Sequence, residues 1–245
     1  YASAGLTLCP VTSYDSEAFE DFAKYATQKG NGITIPSVGD TYSLGSATVS
    51  ILGLNAGSDT NDTSIVLKVQ YGEISFLFTG DAEREAEQAI LNSGADLSAT
   101  VLKVGHHGSD TSTTYPFLRE IMPMYAVISV GEGNSYDHPT DNTLSRLRDA
   151  DVTVFRTDLH GDIVFISDGK TITVSTDKSA SEEDVMTPGG NTIVPPPAVT
   201  PDPEPEQDND TQPSGTDYVV NTNTGKFHYP SCSSVKKMKE SNKMF

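Results

Sequence analysis

The chain has 245 residues, enough for one substantial core with appendages, and its 16 basic against 34 acidic side chains leave a formal net charge of −18. So acidic a surface repels nucleic acid and anionic membrane except where metal ions or a local basic patch intervene. No apolar run approaches the roughly 20 residues of a membrane span.

In chain order, Ser16 is placed to cap a helix over 17–29, where Ala18, Phe19, Phe22, Ala23, Tyr25 and Ala26 form a helical stripe that Gly30 and Gly32 end. Extended pieces follow at 33–36 and 42–44, and alternation predicts a strand over 47–54. Residues 65–69 and 74–78 read as an antiparallel pair turning at Tyr71-Gly72. A helix over 82–91 turns Ala86, Ala89 and Ile90 inward. Its early acids, Glu83, Glu85 and Glu87, suit the helix dipole and read as solvated surface. A strand over 101–104, a helix over 113–122 and a strand over 125–130 come next. Thr140 can cap a helix running to Ala150. Strands at 152–155, 162–166 and 171–174 close the series, the last two joined by Asp168-Gly169. Strands alternate with helices in the middle and pair at either end, which predicts an α/β protein or a mixed α–β sandwich.

Composition changes after Lys178. Residues 179–217 contain no lysine or arginine, and 195–205 is proline-rich with interspersed acids, the composition of a solvated linker. Residues 217–245 regain aromatics and a basic cluster, Lys236, Lys237 and Lys239. That piece is too short for a core and needs a metal, a disulfide or more chain. Cys9 and Cys232 lie in segments of different character and assign no redox compartment. The opening residue is Tyr1, not methionine, so the expectation is a processed product or a fragment.

Three predicted strands end abruptly in polar, metal-competent side chains: Asp81, the pair His106-His107, and His138 with Asn134. Asp81 stands between a strand and a helix, where it can serve as N-cap, as ligand, or as both. Neighbouring histidines at a strand end point to opposite faces, so one of the pair is expected to share a site with Asp81. Gly108 and Ser109 follow, where successive N–H groups could cradle an anion beside the start of a helix. His138 reads either as a turn residue before proline or as a ligand and proton donor. Asn134 either turns the same loop or contacts substrate. Asp62 and Ser64 could supply supporting hydrogen bonds, and His160 reads as a turn residue.

Taken in order, Asn61-Asp62-Thr63-Ser64-Ile65-Val66-Leu67, Phe76–Asp81, Leu102–Ser109, Ile128-Ser129-Val130-Gly131 with Asn134 and His138-Pro139, and Thr157-Asp158 with Gly161 resemble the metallo-β-lactamase-fold hydrolases related to the soluble domain of ComEC-type DNA-uptake proteins. The resemblance covers about residues 35 to 166. It implies an αββα sandwich with zinc or manganese at one sheet edge, and hydrolysis of a phosphodiester, with DNA as a candidate, through a metal-bound hydroxide. Under it, Asp81 resembles the aspartate that can bridge two metals, His106 or His107 a site histidine and His138 the late histidine. The metal candidates are thus Asp81, His106, His107 and His138, with His107 and His138 for catalysis; from the residues themselves, Ser64, Gly108, Ser109 and Asn134 are the candidates to meet substrate. The family's glycine before His-Pro is Asp137 here, a residue that tolerates positive φ.

A second departure is larger. The family's H-x-H-x-D-H motif is absent, and the five histidines are His106, His107, His138, His160 and His228. Catalytic zinc generally takes three firm protein ligands, so the chain resembles the later part of a hydrolase and is expected to be inactive alone. The alternative is a non-catalytic module that handles or binds DNA while keeping the fold. The tail, from Tyr218 through Phe227-His228-Tyr229-Pro230-Ser231-Cys232 to Val235, resembles the start of an Ada-like metal-binding module. Cys232 and His228 are candidate zinc ligands there. The expected divisions are an incomplete hydrolase domain at 1–176, a linker at 177–216 and the small module at 217–245. The linker and tail favour an extracellular or cell-surface location.

Overall fold

The computed structural model describes residues 5–57, 59–189, 219–221, 226–228, 241 and 243–244. The chain divides into a unit of residues 1–192 and one of residues 193–245. Within the first, β1 (Thr7–Leu8) pairs in parallel with β2 (Ile33–Thr34), and α1 (Glu17–Lys29) lies between them in sequence. Ser16 caps α1 as expected, its Oγ accepting from the Phe19 N–H at 3.2 Å.

The main sheet has seven strands lying side by side in chain order: β3 (Thr41–Leu44), β4 (Ala47–Gly53), β5 (Val66–Tyr71), β6 (Ile74–Phe78), β7 (Val101–Lys103), β8 (Tyr125–Ile128) and β9 (Thr153–Arg156). β3 to β6 run antiparallel and β6 to β9 parallel. Connection length explains the change. The turn at Tyr71-Gly72 reverses the chain at once, whereas parallel neighbours need a crossover. Those crossovers are α2 (Arg84–Ser93), α3 (Tyr115–Ile121) and α4 (Asp141–Asp149). The α/β class expected from the sequence holds.

Side-chain alternation puts Leu77, Leu102, Ala126 and Ile128 on one face of the sheet, each with no exposed surface. Ala86, Ile90, Phe117, Leu118, Leu144 and Leu147 from the three helices complete that core. On the opposite face Phe76, Tyr125 and Phe155 meet Phe165 with ring centroids 6.4, 5.6 and 5.7 Å apart. Phe165 comes from β10 (Ile163–Ser167), which pairs antiparallel with β11 (Ile172–Thr176).

Packed chain continues past residue 176, where the linker was expected to begin. Just before α5 (Thr157–His160), the buried Arg156 guanidinium donates to the carbonyls of Val185, at 3.0 Å, and Thr187. Val185 in α6 (Glu182–Val185) is itself buried, and the Gly189 N–H reaches the Pro139 carbonyl at 2.9 Å. A buried guanidinium must find acceptors, and this acidic segment supplies backbone ones. In the second unit β12 (Val219–Asn221) lies between β13 (Lys226–His228) and β14 (Lys243–Met244). Of the candidate ligands there, His228 belongs to β13, and Cys232 lies outside the described residues. No helix among the described residues is long and apolar enough to cross a membrane.

Candidate metal centre

The carboxyl ends of β6, β7 and β8 carry the candidate residues to one edge of the parallel half of the sheet. After β6, Gly80 takes φ 57°, and a Cβ there would meet Ser64 Oγ at 2.8 Å. Glycine therefore serves both the left-handed turn and the close approach. The next N–H, of Asp81, donates to that same Ser64 Oγ at 3.0 Å. Ser64 thus supports the Asp81 backbone. Asp81 is not the N-cap: α2 begins at Arg84, and the Glu83 N–H before it is taken by buried Asp62 Oδ1 at 2.7 Å.

After β7 the chain enters a 3₁₀ turn, Gly105–Gly108, in which His106 (φ 45°) and His107 (φ 54°) are both left-handed. Strand alternation does not apply to such a backbone, yet one of the pair, His107, lies against Asp81 while His106 lies against Glu83. His107 Nε2 lies 3.6 Å from Asp81 Oδ1, and its Nδ1 is 2.7 Å from the Ser129 carbonyl. His106 Nδ1 lies 3.0 Å from Glu83 Oε1. The His106 ring stands 6.4 Å from His107 and 5.7 Å from His138, centroid to centroid. All three histidines and Asp81 thus gather at this edge.

His138 is set by a turn that Asn134 organises. Asn134 Nδ2 donates to the carbonyls of Gly131 and His138, and its Oδ1 accepts from the N–H groups of Tyr136 and His138. Its polar atoms are spent on the loop, so the turn reading prevails over the substrate contact. Asp137 accepts positive φ, at 56°, as its residue type allows. Burial, then the neighbouring His106 and His107, pushes the His138 pKa below the ordinary histidine value. This favours the neutral ring, the form that ligates metals. Lys103, at the end of β7, is pushed down by burial and held up in part by Asp81; its Nζ donates to the Val104 carbonyl at 2.9 Å.

Gly108 and Ser109 do not form the expected anion cradle. The Ser109 N–H donates to the His106 carbonyl at 2.9 Å, Ser109 is buried, and the next helix begins only at Tyr115. Gly108 has a packing duty instead, since a Cβ there would meet Pro139 Cβ at 2.6 Å. His160 is buried with Nδ1 against Arg156 backbone, the structural role expected of it.

Sequence reasoning missed the acids of α2. Glu87 is 2% exposed and accepts from the N–H groups of Thr113 and Thr114, the latter at 2.9 Å, and from Thr114 Oγ1 at 2.6 Å. Burial raises its pKa, opposed by those hydrogen bonds and by Arg146. From α4, buried Arg146 donates to the carbonyls of Asp110, Ser112 and Thr113 at 2.9, 2.6 and 2.8 Å. Together they hold residues 110–114, directly after the histidine turn. The signal was present: Glu83, Ala86, Glu87 and Ile90 lie at i, i+3, i+4 and i+7, one helical stripe, whereas the expected Ala89 is exposed.

The donors at this edge fit a transition metal in type, imidazole nitrogen and carboxylate oxygen. They fall short in number: among the described residues no three His, Cys, Asp or Glu side chains are gathered closely enough to hold an ion. Asp81 with His107 and His106 with His138 are two pairs.

Part of the chain is similar to ComE operon protein 3 of Bacillus subtilis, 42% identical over 105 residues, covering 43% of this chain and 14% of that protein. It is similar also to competence protein ComA of Neisseria gonorrhoeae, 41% identical over 108 residues, 44% of this chain and 16% of that one. Recombination protein 2 of Haemophilus influenzae is 37% identical over 103 residues, 42% of this chain and 13% of that one. The chain thus spans 13 to 16% of the length of these relatives. No protein-family model matches it. The similarity supports kinship with competence and recombination proteins.

Proposed function

We propose that this chain supplies part of the site of a metal-dependent hydrolase that cleaves phosphodiesters and handles DNA, built on the αββα metallo-β-lactamase sandwich. The observation that carries the reading is the convergence of Asp81, His106, His107 and His138 at the ends of three neighbouring parallel strands. Kinship with a competence protein and a recombination protein supports the DNA-handling part. Zinc or manganese would be held by those four side chains together with ligands outside the described residues. Such an ion, when bound, supplies Lewis-acid polarisation of the phosphoryl group and brings a water toward ionisation near neutral pH.

The chain's own residues prepare that edge. Ser64 fixes the Asp81 backbone, the Ser129 carbonyl orients His107, and Asn134 shapes the loop that carries His138. The shortage of donors favours a second reading, a non-catalytic DNA-handling module. The two separate in the intact gene product. Metal content at or above one ion per protein, with cleavage of DNA or a chromogenic diester in manganese or zinc, supports the hydrolase. A metal-free protein without cleavage overturns it in favour of the binding module. The 245-residue chain alone is expected to bind metal weakly and to turn over no diester.

A further inference from the structure

Glu83 opens α2 and reads, in the sequence, as one acid of a solvated face. In the structure its carboxylate is three-quarters buried and joins three segments. Oε1 accepts from Thr111 Oγ1 at 2.9 Å and from Asn61 Nδ2 at 3.3 Å, and it lies 3.0 Å from His106 Nδ1. The Glu83 N–H is itself anchored on Asp62. This carboxylate has little freedom to leave.

The proton arithmetic around His106 is closed. An ionised carboxylate only accepts, so the Thr111 hydroxyl spends its one proton on Glu83. Toward His106 Nδ1, 3.5 Å away, Thr111 Oγ1 can then act only as acceptor. Ser109 Oγ, 2.9 Å from Thr111 Oγ1, must donate to it for the same reason. Both neighbours of Nδ1 are acceptors, so Nδ1 carries the hydrogen. In the neutral ring Nε2 is left with its lone pair, on the side of the ring opposite Glu83.

We infer that Glu83 is a positioning residue of the metal centre: by receiving the Nδ1–H of His106 it fixes that ring's tautomer and rotation and presents Nε2 for ligation. The inference rests on the proposed ligand role of His106, but the tautomer exists without metal. A carboxylate behind a ligating imidazole also raises its basicity. His107 has the corresponding arrangement with a neutral acceptor, the Ser129 carbonyl, so the two adjacent histidines differ in the charge behind the ring.

The test is nitrogen–proton NMR of the histidine rings in the metal-free 245-residue chain, at a pH where imidazole is neutral, on wild type and Glu83→Gln. Wild-type His106 is expected as the Nδ1–H tautomer. Glu83→Gln offers an amide that can also donate, so a mixture or a switch to Nε2–H is expected. A wild-type ring protonated at Nε2 or at both nitrogens overturns the inference, and so does a tautomer unchanged by Glu83→Gln. The wild-type spectrum decides alone if that variant fails to fold. In the intact gene product, Glu83→Gln should weaken zinc or manganese binding by about 10- to 100-fold. If His106 changes tautomer as stated while wild type binds no metal, the positioning by Glu83 stands and the metal-centre reading fails.

Discussion

Residues 105–114 have two sides of opposite character. The outer side carries His107 and faces Asp81, whose side chains are 52% and 40% exposed. The inner side is gripped by Glu87 and Arg146, both almost without solvent contact. On the inner side, backbone amides and carbonyls meet full or partial charges, so few groups are left unpaired. Thr113 is held there at φ 54°, a sparsely populated region for a β-branched residue. The contrast teaches how a turn that presents an exposed histidine can be held in place: its following residues bond to charges buried one layer beneath it, which need not touch a ligand.

If that division is right, substitutions inside should move stability and those outside should move metal binding. The largest effect is expected from Arg146→Ala, which removes the side-chain donor of the buried Ser112 and Thr113 carbonyls and leaves Glu87 without its nearby cation, while the Asp110 carbonyl keeps Arg84 as a donor. A loss of about 3–5 kcal/mol is expected in urea denaturation. A loss below about 1 kcal/mol would break the comparison. Next comes Glu87→Ala, at about 1–3 kcal/mol for the unpaired N–H groups of Thr113 and Thr114. Its pH dependence has a definite sign. The folded pKa lies above the ordinary 4.5, so the stability from Glu87 protonation is full below 4.5 and is lost as pH rises through the folded value. The gap between wild type and Glu87→Ala should therefore narrow as pH rises through that window; a gap that widens refutes it.

Asp81→Ala sharpens the outer side. Because Asp81 caps no helix, its removal should change stability by no more than about 0.5 kcal/mol. Metal affinity of the intact protein should nevertheless fall beyond the roughly 10- to 100-fold typical of groups that only support a ligand. The smallest effect lies away from the loop, at Lys68, whose Nζ is 2.8 Å from Asp96 Oδ2. That contact, joined by hydrogen bonds from the Ser98 hydroxyl and N–H, draws the Asp96 pKa down to about 2 from 3.8. The stability it adds is present above 3.8 and lost as pH falls toward 2. The Asp96 side chain is 75% exposed, so solvent screening keeps the loss in Lys68→Ala to about 1 kcal/mol or less. Acid titration of both proteins should show their curves converging near pH 2.

The parallel strand ends were legible because each is a short apolar run breaking into polar residues. Asp81, His106 and His138 could be nominated from that pattern alone. Which of His106 and His107 would meet Asp81 could not, because alternation assumes extended backbone and both residues are left-handed. Asn134 and Ser109 looked like substrate contacts by composition, yet their polar atoms are taken by neighbouring backbone and side chains. The linker boundary was misplaced for a similar reason. Residues 177–189 look solvated by composition, but Arg156, distant in sequence, draws their carbonyls inward.

Local signals alone determined the α/β alternation, the Ser16 and Thr140 caps, the hairpin at Tyr71-Gly72 and the kinds of metal-competent side chain at the strand ends. These depend on residues a few positions apart, whose geometry the backbone dictates. Tertiary structure alone decided that Glu83 faces His106, that Glu87 and Arg146 brace the histidine turn, and that the donors meet in pairs. Each of those outcomes depends on segments more than twenty residues apart, and the energy that fixes them is the desolvation of polar groups forced to find partners where the chain packs.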